Sequence, residues 1–112
     1  MSTGIAWAVL LLAGLCEVGW AVGMKYTDGF SRLWPSVWTV AMMVISVVLL
    51  GWSLKVLPLG TAYAVWTGIG AVGTALLGIW LFGEPREVLR FVCIGLIVAG
   101  IAGLKLLTPD AP

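Results

Sequence analysis

From Ile5 to Met24 the chain carries a single charged side chain, Glu17, in an otherwise apolar run. At about 1.5 Å of rise per residue, a helix over this stretch covers a hydrocarbon layer of about 30 Å and places the carboxylate about 18 Å into it. Burial at that depth disfavours the charged form. Glu17 is therefore expected to bind and release protons, to hold a cation, or to do each in turn, because acids inside membrane spans usually line ion or substrate routes. The alternative is a protonated acid that bridges two helices as structural glue. Trp20 lies three residues on, hence on the same helix face, where its indole can lie against a cation held by the carboxylate. Tryptophans also anchor spans at the membrane interface, a role that suits Trp7 or Trp34 better than Trp20, which is nearer the middle.

The rest of the chain keeps to this solvent. With 112 residues, 62% hydrophobic and 10% charged, it is too apolar for a soluble domain. A formal net charge of +1 without a basic cluster argues against nucleic acid as a partner. There is no histidine, and the two cysteines, Cys16 and Cys93, are far apart inside apolar runs. The sequence thus offers no metal-ligand spacing and no thiol nucleophile with a histidine base, so neither an enzyme nor a metal or cofactor is expected. Met1-Ser2-Thr3-Gly4 lacks the basic start of a signal peptide. Residues 1–112 are read as a single all-α domain of four transmembrane helices.

The first helix spans about 5–24 and its Gly and Ala content lets neighbours approach closely. A polar connector, Lys25 to Arg32, leads to Pro35, which suits a first helical turn, and to a second helix over about 37–54. Along it Thr39, Ser46 and Ser53 recur at every seventh position and share one stripe. Ser46 is level with Glu17; its hydroxyl is expected either on the carboxylate or on the carbonyl four residues back in its own helix. After Lys55 to Gly60, a third helix over about 59–82 carries Tyr63, Trp66, Thr67 and Gly70 along one face. Tyr63 and Trp66 can complete an aromatic box with Trp20, or pack as ordinary core aromatics. Gly68 and Gly70 form a candidate hinge for switching access between the two membrane faces, the alternative being close helix packing alone.

Gly83 is expected to cap that helix and Pro85 to break it. A fourth helix over about 88–107 has its apolar core between Phe91 and Leu104, so Arg90 and Lys105 reach for the interfaces. Gly95, Ala99 and Gly103 recur every four residues as a ridge of small residues suited to a subunit contact, though such ridges also pack within a monomer. Lys25, Arg32, Arg86 and Arg90 flank one membrane face, and Lys55 and Lys105 the other, a bias that leans towards loops one and three in the cytoplasm. Four helices are few to enclose a site that opens to each side in turn; two copies give eight and a pair of Glu17 carboxylates in one chamber.

Nearly the whole chain resembles the small multidrug resistance family, and within it the guanidinium-exporting subtype. The resemblance rests on Glu17-Val18-Gly19-Trp20-Ala21, Lys25, the run Gly29 to Ser36, the run Pro58 to Gly70, and Gly95 to Lys105. The drug-exporting subtype typically has glycine at the position of Trp20 and lacks a lysine like Lys105. The resemblance implies an antiparallel homodimer of oppositely inserted subunits in a bacterial-type inner membrane, exporting guanidinium and small substituted guanidinium ions in exchange for protons. It implies that Glu17 is the shared site, that Ser46 and Trp20 position it, that Tyr63 and Trp66 line the chamber, and that Gly68 to Gly70 bends differently in the two subunits. The loop-charge bias departs mildly from balanced dual insertion and leaves a paired homologue open as the partner. Export of quaternary ammonium compounds, a narrow channel, and a non-transporting structural membrane subunit are the alternative functions.

Overall fold

The structure, a computed structural model, describes residues 1–108. Among them it shows four α-helices and no strand: α1 Thr3–Tyr26, α2 Leu33–Ser53, α3 Leu59–Phe82 and α4 Val88–Leu107. All four are long and apolar enough to cross a membrane, so the chain is a four-span all-α membrane protein. Helices are the solution here because every backbone N–H and C=O is then satisfied within its own span.

The ends of the helices follow their capping residues. Ser2 accepts from the Ile5 N–H at 3.2 Å, which starts α1 at Thr3 rather than at the first apolar residue. Thr27 closes the other end, donating to the Met24 carbonyl at 2.7 Å and accepting from the Phe30 N–H at 3.1 Å. Asp28, Gly29 and Phe30 then all take left-handed backbone, which turns the chain within a few residues. As a result α2 begins at Leu33, four residues before the expected start. Pro35 falls inside its first turn, where a missing N–H is no loss. Gly83 caps α3 in the left-handed conformation, as its position after Phe82 led one to expect.

The helices form a curved row in the order α2, α1, α3, α4 rather than a closed bundle. The Cα envelope measures 47 × 35 × 17 Å, and its short dimension is little more than one helix with its side chains, about 10–12 Å. Ala6, Leu10, Leu57, Ala62 and Val65 make the buried core, at the end of the row where α1 and α3 start and α2 stops. Glu17 lies about two turns beyond Leu10 along α1, outside that cluster. α4 lays its backbone against α3 alone and buries none of its own residues.

Candidate functional site

The site is set by how α1 meets α3. Side chains and glycines interlock along this seam: Ile69 comes to the bare Cα of Gly14, Val18 to that of Gly73, and the Glu17 carboxylate to that of Gly70. A Cβ on Gly70 would collide with the Glu17 carboxylate itself. Only glycine leaves α3 flat enough for the acid to rest on its backbone. Glu17 is half-buried, its Oε1 is fully buried, and among the described residues that oxygen has no hydrogen-bond partner. Among the described residues no cation pairs with it: the ion pair there is Arg90 with Glu87 at 3.9 Å, exposed at the start of α4, and Lys25 sits over the Phe82 ring at 5.0 Å, at the far end of the seam.

One turn below the acid, the three inner helices are tied by a relay of hydrogen bonds. Trp66 Nε1 donates to Ser46 Oγ at 2.9 Å, and Ser46 Oγ donates to the Ala13 carbonyl at 2.7 Å. Ser46 is completely buried. A hydroxyl has one proton to give, and this one goes to α1 backbone, neither to the Glu17 carboxylate nor to its own helix. Ala13 is four residues before Glu17, so its carbonyl is also the one that helix geometry pairs with the Glu17 N–H. Ser46 therefore holds the turn on which the carboxylate stands. At 19 residues' separation in sequence, Trp38 Nε1 donates to the Gly19 carbonyl at 3.1 Å and fastens α2 to α1 on the other side of the acid.

The expected aromatic residues divide into two groups. Tyr63 and Trp66 pack together with ring centroids 5.7 Å apart, and Tyr63 is exposed. They lie one to two turns before Gly70 on α3, below the carboxylate. Trp20 lies above it, since the Val18–Gly73 contact puts residue 20 at about the height of residue 75. The axial distance from Trp20 to Tyr63 is then about twelve residues of helix, or about 18 Å. Among the described residues no ring contact joins Trp20 to Tyr63 or Trp66, so one chain does not close the three into a box. Helical spacing orders residues around one helix and could not supply the register between helices.

The remaining candidates are the two α3 glycines, Lys105 and the α4 ridge. α3 runs unbroken through Gly68 and Gly70, and a Cβ on Gly68 would meet Ile101 of α4 at 2.9 Å. Both glycines are points of close approach in this conformation. Lys105 places its Nζ 5.4 Å from the centre of the Trp7 ring, beside a groove of about 290 Å³ at the starting end of α1, some ten residues from Glu17. Gly95 and Ala99 are exposed and Gly103 half-buried; no atom lies within 4 Å of a Cβ built on Gly95 or Gly103. Two threonine hydroxyls along the seams, Thr39 Oγ1 of the expected stripe and Thr74 Oγ1, which drew no attention in the sequence, are buried and without a hydrogen-bond partner among the described residues. Thr74 could have been found from its spacing, because Trp66, Gly70 and Thr74 stand in one row at intervals of four.

A half-buried carboxylate with an unpaired oxygen, backed by glycine, can take up a proton or a small cation. Comparison with known proteins bears on which. Residues 5–97 match the family described as Small Multidrug Resistance protein. The chain is 63% identical over 102 residues, 91% of its length and 97% of the relative's, to a guanidinium exporter of Salmonella typhimurium (strain LT2). It is 61% identical over 104 residues to a guanidinium exporter of Escherichia coli (strain K12), and 60% identical over 104 residues to one of Citrobacter freundii. Each of those alignments covers 93% of this chain and 99% of the relative.

Proposed function

We propose that this chain, which belongs to the small multidrug resistance family, exports guanidinium and small substituted guanidinium ions across a bacterial inner membrane in exchange for protons. The observation that carries the proposal is the Glu17 carboxylate, resting on Gly70 deep in the span with an unpaired buried oxygen. Relatives of nearly the same length that are named guanidinium exporters support the choice of cation.

The chemistry follows from the charge states. A guanidinium ion is planar, permanently charged and has N–H groups along its edges, so it meets a carboxylate through parallel hydrogen bonds while an indole covers its face. Glu17 supplies the carboxylate and Trp20, on the same face, the indole. A proton neutralises the acid and removes the attraction, so substrate and proton occupy Glu17 by turns. Ser46, by holding the Ala13 carbonyl, and Trp66, by holding Ser46, keep the acid's turn in place, and Tyr63 flanks the approach. We take the working unit to be two antiparallel, oppositely inserted copies. The open row of helices, with α4 unburied and the Gly95, Ala99 and Gly103 ridge facing outward, supports a second copy closing the chamber. Gly68 and Gly70 are where α3 would bend between the two orientations.

Reconstitution into liposomes tests this reading. An imposed proton gradient should drive guanidinium movement with protons moving the other way. Guanidinium flux that ignores the proton gradient would point to a channel, and no flux at all to a structural subunit.

A further inference from the structure

Thr74 stands four residues beyond Gly70 on α3, in the same row, so its side chain comes next along the helix after the place where the Glu17 carboxylate rests. A threonine inside a helix usually spends its hydroxyl on the carbonyl three or four residues back. Thr74 does not. Its Oγ1 is buried with no hydrogen-bond partner among the described residues, and the same holds for Glu17 Oε1 and Trp20 Nε1. The seam register sets Trp20 at about the height of residue 75, one residue beyond Thr74, so the three unpaired polar atoms belong to neighbouring turns of two adjacent helices.

Two of the three are acceptors. Four residues of α-helix rise about 6 Å, and a small planar ion with N–H groups on opposite edges bridges a gap of that order through hydrogen bonds of about 2.9 Å. The Thr74 oxygen has free lone pairs and can accept such a bond. Building on the guanidinium reading above, we infer that the Thr74 hydroxyl is a second, uncharged acceptor for the substrate and a determinant of specificity. Glu17 supplies charge, which any cation or proton can use. Thr74 supplies a directional lone pair, which serves only a cation that carries N–H groups. A proton on Glu17 needs nothing from it, and a quaternary ammonium ion has no donor to offer it.

The test measures guanidinium binding at alkaline pH, and proton binding without substrate, on the full-length protein and its Thr74→Val and Thr74→Ser variants. Thr74→Val keeps the shape and loses the hydroxyl. It should raise the guanidinium Kd about tenfold while the pH midpoint of proton binding stays where it is in the unaltered protein. Thr74→Ser should return the Kd to within about threefold. A thermal melt identifies a misfolded variant; Thr74→Ala, which removes the hydroxyl without adding bulk, then replaces valine with the same expectation. The inference is overturned if Thr74→Val binds guanidinium like the unaltered protein, if serine loses as much as valine, or if the proton midpoint moves along with the Kd. Unaltered protein that binds no guanidinium overturns the functional reading and this inference together; binding that is indifferent to the hydroxyl overturns this inference alone.

Discussion

α1 and α4 are equally apolar spans, α4 with no acid inside it, yet they are buried to very different degrees. α1, which holds Glu17, buries Ala6, Leu10, Ala13, Gly14, Cys16, Val18 and Gly23 between α2 and α3, whereas α4 buries nothing. In a membrane the apolar side chain is already in its preferred solvent, so what draws helices together is close fit and polar bonding rather than hydrophobicity. α1 offers both, through glycines that admit side chains of α2 and α3 and through backbone carbonyls that accept from Ser46 and Trp38. α4 offers a ridge of small residues with no helix on it.

The largest effect should come from the acid itself. Glu17→Gln keeps the shape and removes the titratable charge, and is expected to abolish coupled guanidinium transport in liposomes. Gly70→Ala comes next, because any Cβ there meets the carboxylate. Overpacking of this kind costs about 1–3 kcal/mol, so guanidinium binding should weaken about tenfold to a hundredfold. The matched change on the other side of the comparison, Gly100→Ala on α4, faces open space and should leave binding unaltered. A Gly100→Ala variant as impaired as Gly70→Ala would mean the seam is not special.

Ala99→Leu sharpens the contrast from the α4 side. It lies on the outward ridge, so it should leave the helical content of the chain intact and lower the dimer fraction seen by native mass measurement in mild detergent. A dimer of unchanged stability would remove the ridge as the subunit contact. Ser46→Ala strands the Trp66 N–H and one acceptor site on the Ala13 carbonyl, and should cost about 1–2 kcal/mol of stability in a detergent melt. Trp20→Gly is expected to act most on selectivity: guanidinium binds less well and bulky quaternary ammonium ions better, as competition binding with a tetraphenylphosphonium-type ion would reveal.

The four spans were legible because length and composition alone decide what can cross a bilayer, and Glu17 was legible because a lone acid there is conspicuous. What could not be read was relation between helices. Leu33 starts α2 early because Thr27 and three left-handed residues turn the chain sharply, a local device hidden in an ordinary polar connector. Ser46 was expected level with Glu17, whereas it bonds a carbonyl of another helix one turn below, and spacing within α2 carries no information about that. The same gap separated Trp20 from Tyr63 and Trp66: spacing placed each on its own helix, while the seam register sets them on opposite sides of the acid. Gly70 drew notice as a hinge, and its contact with Glu17 emerges only when α1 and α3 are laid together.

The central claim is that one carboxylate serves proton and guanidinium in turn. Measuring guanidinium affinity across pH, with the protons released on binding counted in parallel, tests it most directly. Protons occupy the acid as pH falls, so affinity should drop towards acid pH, and binding in that range should release protons that are no longer released once the acid is already ionised. Two glutamates in one chamber would titrate as a coupled pair, so the midpoints belong to the pair. Guanidinium affinity that is flat from acid to alkaline pH, with no protons released, would contradict the account.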